Sequence, residues 1–244
     1  MDMSKKPLGE VSLSKGGQAR ISLDKGDHDV TVTASLQWDG GSDQRRQRGA
    51  DLDLYALYVP AEDAVRSADH APGYVFPQLK RGFLGPKNKD EAKALKAQLA
   101  DRTDAGQVVY YKRLGSLKTA PYMKLSGDAK IPGEETITIV RPDLQGYALI
   151  CAYSAVENGR GSFRSFGARA VVSDGRGSEV TVPLYEEANT SYWVAIAFID
   201  FTDPQGVEIS HVERYARRAT EKRPVLHTDG TVLMDAGPVE FKRT

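Results

Sequence analysis

Positions 30–38 alternate strictly: Val30, Val32, Ala34, Leu36 and Trp38 are apolar, and Thr31, Thr33, Ser35 and Gln37 between them are polar. Successive side chains of an extended strand point to opposite faces, so the pattern predicts a strand with one face on a core and the other toward water. Such a strand cannot stand alone. Its apolar face needs a second layer, and its edges carry N–H and C=O groups that need partners.

The rest of the chain supplies candidates for that layer. Short apolar or alternating stretches recur at 11–13, 21–23, 51–59, 108–111, 122–125, 136–140, 147–153, 166–172, 180–184, 193–199 and 207–215, mostly separated by turns of Gly, Asp, Asn or Pro. Many short strands and few helices predict a mostly β fold, an antiparallel β-sandwich. The first two stretches flank Lys15-Gly16-Gly17 and are expected to form an opening hairpin. The last segment, 220–244, holds apolar pieces around Asp229-Gly230 and Ala236-Gly237-Pro238 and is expected to add a terminal hairpin.

Positions 60–106 interrupt the strand rhythm with Pro60, Pro72, Pro77 and Pro86 and then a charged run of helical spacing. Asn88 can cap a helix with Glu91 three residues on, and Ala92, Leu95 and Leu99 share one face, so a helix is expected over about 89–102. Lys89, Lys93, Lys96 and Gln98 then lie on its solvated side. The economical description is one domain, 1–244, with 60–106 as an insertion; no internal repeat divides it.

Composition narrows the function. Lys plus Arg and Asp plus Glu both number 33, so a net charge of zero gives no bulk drive toward nucleic acid or an anionic membrane. No apolar stretch is long enough to span a bilayer, and no apolar segment follows the lysines of the first seven residues, so a soluble cytoplasmic setting is expected. Cys151, the one cysteine, lies in an apolar run, which excludes an intrachain disulfide and places the thiol in the core. His28, His70, His211 and His227 are scattered and sit in no metal or nucleophile motif, and no phosphate-binding glycine loop occurs, so no enzymatic activity is expected.

Acidic chemistry stands out at two places. In a strand, Asp51, Asp53 and Tyr55 share one face while Leu52 and Leu54 share the other. Two carboxylates about 6.6 Å apart, two strand rises, repel by ~0.6 kcal/mol in water and ~2.5 kcal/mol at an effective dielectric of 20. A cation would remove that cost; so would an arginine, and Arg45-Arg46-Gln47-Arg48 stands just upstream. The second place is the loop 125–135, where Asp128, Glu134 and Glu135 lie among Gly127 and Gly133. Calcium takes six to eight oxygen ligands from carboxylates, carbonyls and water, and glycines let carbonyls turn inward. The residues alone leave two readings open, a calcium loop and an ordinary acidic turn.

Taken together, several motifs resemble one family. Gly9-Glu10-Val11-Ser12-Leu13-Ser14-Lys15-Gly16-Gly17, Leu36-Gln37-Trp38-Asp39 and Gly49-Ala50-Asp51-Leu52-Asp53-Leu54 are similar in order and spacing to the opening blocks of the TerD family of tellurite-resistance and stress proteins. Val109-Tyr110-Tyr111, Ser126-Gly127-Asp128, Gly133-Glu134-Glu135 and Ser165-Phe166-Gly167-Ala168-Arg169 resemble its later blocks. The resemblance spans about 8–215, apart from the insertion. It implies a calcium-binding β-sandwich acting as a stress-response module on an unidentified protein partner, with Asp51, Asp53, Asp128, Glu134 and Glu135 as ligands. Two departures from the family pattern point to fewer or weaker sites, or to a calcium-independent module. Tyr55 stands where a third aspartate is common, and the acidic loop is short, with Lys130 and Pro132 in it. Tellurite chemistry follows from no residue here. Arg45 to Arg48, Arg160 and Arg164 also offer a phosphate-binding reading, beside the simpler one of solvated loops.

Overall fold

Val32, Ala34 and Leu36 are buried while Thr31, Thr33 and Gln37 stay partly exposed, so the alternation is realised except at Ser35, which is buried with its Oγ 2.8 Å from Thr136 Oγ1. The computed structural model describes residues 9–27, 29–41, 43, 51–78, 87–99, 107–127, 129, 133–155, 158, 161–204 and 206–240, without the Gln98 side chain. Outside them lie Asp128, the Arg45-Arg46-Gln47-Arg48 run, Arg160, Lys130, Pro132, His28 and the expected helix end at 100–102.

Among the described residues fifteen strands form in chain order: β1 (Gly9–Ser12), β2 (Gln18–Ser22), β3 (Thr31–Gln37), β4 (Leu52–Pro60), β5 (Val108–Val109), β6 (Gly115–Ser116), β7 (Met123–Leu125), β8 (Glu134–Val140), β9 (Gln145–Ser154), β10 (Arg169–Ser173), β11 (Ser178–Pro183), β12 (Trp193–Asp200), β13 (Gly206–Tyr215), β14 (Val225–Leu226) and β15 (Val232–Leu233). The α-helix α1 (Lys89–Leu99) lies between β4 and β5. A seven-stranded sheet in the order β1-β11-β10-β3-β8-β7-β6 faces a six-stranded sheet in the order β2-β13-β12-β9-β4-β5. Pairing is antiparallel throughout both sheets except for β1 with β11. The core between them joins Val32, Ala34 and Leu36 of one sheet to Leu54, Ile150 and Ile196 of the other.

The expected opening hairpin does not form. β1 joins β11 in one sheet and β2 joins β13 in the other, so residues 13–17 turn a corner between layers. Sheets stack about 10 Å apart, a gap that five extended residues span with ease. The alternation in both strands is satisfied either way, because Leu13 and Ile21 reach the same core. A second difference concerns 166–172: Arg164–Phe166 form a 3-10 turn, and the strand starts only at Arg169. Gly167 makes that turn at φ 69°, with its Cα so close to Asp39 that a Cβ would stand 2.7 Å from the carboxylate.

The six-stranded sheet is covered on its outer face as well. β9 directs Ala148, Ile150 and Ala152 inward and Tyr147, Leu149, Cys151 and Tyr153 outward, and all are buried. Burial pushes the Cys151 thiol up, as expected of a core cysteine. The cover is built by two segments remote in sequence. Val65 N–H donates to Thr228 O (3.0 Å), Gly73 N–H to Gly230 O (2.8 Å), Phe76 N–H to Val232 O (2.8 Å) and Val232 N–H to Tyr74 O (2.8 Å). The start of the insertion and the β14–β15 hairpin therefore form one layer, with Leu226, Val232 and Met234 against Leu57, Leu149 and Phe198.

α1 attaches to this layer by a narrow stripe. Glu91 N–H donates to Asn88 Oδ1 (2.8 Å), and the Glu91 carboxylate returns to Asn88 Nδ2 (3.1 Å) and Lys87 N–H (2.7 Å), so the cap forms. Leu95 packs with Phe76 and Leu233, with Leu99 at its margin, burial worth about 1.5–3 kcal/mol for Leu95. Among the described residues no helix is long and apolar enough to cross a membrane.

Candidate functional site

β4 carries both aspartates of the first acidic motif, and its parity decides where they go. Leu52, Leu54, Ala56 and Tyr58 face the core between the sheets, while Tyr55, Leu57 and Val59 face the outer cover. Asp53 is in step with Tyr55, so its carboxylate lies on the outer face of the six-stranded sheet, 1% exposed and opposite Tyr153 of β9. The sequence pattern places the two aspartates on one face, but that face is interior rather than open to solvent.

Tyr55 explains the cover locally. Its ring stacks on Tyr110 at 4.8 Å and meets Trp193 edge-on at 4.7 Å, with Tyr111 and Tyr153 at 6.3 Å. Burial, and then the negative charge of Asp53, hold its hydroxyl well above the usual tyrosine range. Tyr153 donates to Glu221 Oε2 at 2.7 Å, which ties the cluster to the C-terminal segment.

Asp51 precedes the strand and is half-buried. Its N–H donates to Asn158 Oδ1 (3.0 Å), while Asn158 Nδ2 donates to Asp51 O and to Ser154 Oγ (3.1 Å). The last register pair of β4 and β9 is Leu52 with Ser154. Asn158 therefore imitates one further rung of the ladder with its side-chain amide. Sequence reasoning did not single out Asn158, because nothing local distinguishes it from any loop asparagine.

Glu135 occupies a third position. It is in step with Ile137 and Ile139, which belong to the inter-sheet core, and it is 1% exposed. Its Oε2 accepts Leu54 N–H across the sandwich at 2.7 Å, and its Oε1 accepts Ala129 N–H at 2.9 Å. The need for the first bond comes from topology. β5 pairs with β4 only at Ala56 and Leu57, so the edge donors of β4 before that point have no strand beside them. A carboxylate from the opposite sheet fills the vacancy.

Glu134 points the other way, onto the exposed outer face of the seven-stranded sheet, where its carboxylate accepts from Thr136 Oγ1 (3.0 Å) and Gln37 Nε2 (3.4 Å). The loop ends are fixed by Ser126 N–H to Thr136 O (2.8 Å) and Trp38 N–H to Gly133 O (3.0 Å). The five carboxylates expected to share one ion thus divide. Asp53, in step with Tyr55, takes the outer face of one sheet, Glu135 the space between the sheets and Glu134 the outer face of the other. Asp51 stands just before β4, and Asp128 is outside the described residues. Among the described residues no three His, Cys, Asp or Glu side chains come together as a metal site. Calcium needs at least six oxygens, and both of those on Glu135 already accept backbone donors. The described residues do not fit one ion held by this set.

The remaining candidates take structural places. Arg164 donates to Tyr185 O (2.9 Å). His70 stacks on Tyr74 at 4.1 Å. His211 accepts Gly16 N–H on Nδ1 (3.1 Å) and sets Nε2 against Pro183 O (3.1 Å), which pins the corner between β1 and β2 to β13. His227 is buried in the C-terminal hairpin. Among the described residues His70, His211 and His227 assemble no common site.

No protein-family model and no curated protein matches this sequence. Among solved structures, the chain is similar to a homologue of telluride resistance protein (TerD), SCO6318 from Streptomyces coelicolor A3(2), at 13% identity and a TM-score of 0.41, over 76% of this chain and 89% of that one. It is also similar to SAV2460, a protein of unknown function, at 13% identity and a TM-score of 0.42, over 76% of this chain and 90% of that one. The first bears the family name that the sequence motifs resemble. Both likenesses concern the course of the chain and say nothing of ligand or partner.

Proposed function

We propose that this chain is a non-catalytic binding module of the stress-response kind that its motifs resemble, acting in the cytoplasm on a protein partner and independently of calcium. The observation that carries this reading is Glu135, whose two oxygens hold Leu54 of one sheet and Ala129 of the acidic loop. A bridging ion would tie strand to loop; here a carboxylate does so directly through two charge-assisted hydrogen bonds. A carboxylate committed in this way is a structural anion.

The second reading, calcium binding, has an observation of its own. Leu54 follows Asp53 and Ala129 follows Asp128, so the same two hydrogen bonds draw the two acidic stretches toward each other. In that reading Asp51, Asp53 and Asp128 supply the ligands, and free calcium at 100 times the dissociation constant would stabilise the fold by ~2.7 kcal/mol.

Calorimetric titration of calcium into chelator-treated protein, with magnesium as control, separates the two. The calcium-independent reading expects no saturable heat and equal thermal midpoints with calcium and with chelator. Saturable binding abolished by Asp51→Asn would overturn it in favour of the ion.

A further inference from the structure

The far end of β4 from Asp51, at Tyr58 and Pro60, borders a cavity. The six-stranded sheet ends there in β4 and the short β5, the seven-stranded sheet in β7 and β6. The cavity, of about 350 Å³, is walled by Tyr58, Tyr122 and Leu144, with Gln107, Glu62 and Asp63 on its polar side. That volume falls within the range of small-molecule sites, about 300–1,000 Å³.

Its polar groups are available. Tyr58 is 8% exposed and its ring belongs to the inter-sheet core, yet its hydroxyl makes no hydrogen bond to any described residue while it lines the cavity. A hydroxyl placed in that way can exchange hydrogen bonds with a molecule in the cavity. The side chains of Gln107, Glu62 and Asp63 are likewise without hydrogen bonds or ion pairs among the described residues. Four polar side chains of one pocket thus have no side-chain hydrogen bond or ion pair among the described residues.

The walls are held in place before any ligand arrives. Ala61 N–H donates to Leu144 O (2.9 Å), and Gln145 Nε2 donates to Pro121 O (2.9 Å). Tyr122 sits at φ 57°, a left-handed backbone that a tyrosine rarely adopts, fixed by Tyr122 N–H to Thr119 O and Val140 N–H to Tyr122 O, each 2.9 Å. Tyr122 lines the cavity.

Charge selects the ligand. Among the described lining residues Glu62 and Asp63 are the only charged ones. Arg141 lies behind the Tyr122 ring at 6.0 Å but is paired bidentately with Asp143 (2.9 and 2.7 Å), and Arg113 acts on Tyr58 from outside the lining. Among the described residues the lining is negative, and two tyrosine rings beside it can favour a cation.

We infer that this cavity binds a small organic cation, an arylalkyl ammonium, its ammonium on Glu62 and Asp63, its ring against Tyr58 and Tyr122, and a polar substituent on the Tyr58 hydroxyl and Gln107 amide. The inference is independent of the calcium question, which concerns the other end of β4.

The test is calorimetric titration of the full chain with tyramine, its uncharged analogue 4-hydroxyphenylethanol and the anion 4-hydroxyphenylacetate. Tyramine is expected to bind saturably, the uncharged analogue about tenfold more weakly and the anion not at all. The double variant Glu62→Gln/Asp63→Asn, on the exposed turn, should weaken tyramine about tenfold at an unchanged thermal midpoint. Ala61→Trp, which fills the pocket from its exposed rim, should abolish binding. Equal affinity for the uncharged analogue, tyramine binding that survives Ala61→Trp, or no tyramine binding at millimolar concentration would each overturn the inference.

Discussion

Oε2 of Glu135, on the seven-stranded sheet, accepts the N–H of Leu54, on the six-stranded sheet, at 2.7 Å. It is a charged hydrogen bond through the middle of a β-sandwich, and it spares an edge donor of β4 that β5 is too short to reach. Glu135→Ala would leave Leu54 and Ala129 N–H without their acceptor, at about 1–3 kcal/mol each when buried. Urea unfolding should show a loss of about 2–5 kcal/mol, with Glu135→Gln intermediate because its amide keeps one acceptor. A loss below about 0.5 kcal/mol for the alanine variant would refute the bridging role.

Asn158 holds both backbone groups of Asp51. Asn158→Ala should cost about 1–2 kcal/mol and speed amide exchange at Asp51. Asn158→Asp should be worse than alanine, because it removes the donor to Asp51 O and sets a second carboxylate beside Asp51. If the aspartate variant proves the more stable of the two, the ladder argument fails.

The Tyr55 hydroxyl is buried without a hydrogen-bond partner among the described residues. Tyr55→Phe should therefore be neutral or stabilise by up to about 1 kcal/mol, since it removes a desolvated polar group and keeps the ring stacking. Tyr55→Asp, which places an acid where the TerD pattern commonly has one, puts a charge among four aromatic rings next to Asp53. It should destabilise by more than about 3 kcal/mol in thermal or urea unfolding. Near-wild-type stability of that variant would show that the outer cover opens readily.

Tyr55, Tyr58, Tyr110, Tyr147 and Tyr215 are all held above the ordinary tyrosine value of 10.0, burial being the first cause in each. Above pH 10 the unfolded chain releases protons that the folded chain keeps, so these groups stabilise fully below that pH and the stability is lost as pH climbs past it. Lys25, lowered from 10.5 by burial, works in the opposite sense. One lysine does not offset five tyrosines. Alkaline titration followed by tyrosinate absorbance should show late, cooperative ionisation coincident with unfolding. Smooth titration near pH 10 in the folded protein would contradict the burial.

Sequence alone determined the strands whose two faces differ and the elements with local signals. The alternation of β3, the apolar runs of β9 and β12 and the Asn88–Glu91 cap are each written within a few consecutive residues, because strand parity and capping are local physics. The TerD resemblance came from motif order in the same way. Tertiary structure decided what parity cannot say, namely what lies opposite each face. β1 and β2 fit a hairpin or a corner equally well by their own residues, and only their partners β11 and β13 choose between them. The face of Asp53 and Tyr55 reads as solvent until Tyr110, Tyr111 and Trp193, remote from it in sequence, are seen to pack on Tyr55. Glu135 reads as one more loop acid until the short β5 leaves Leu54 N–H without a strand partner. Carboxylates close in sequence were sent to different faces because a one-residue step reverses the side of a sheet.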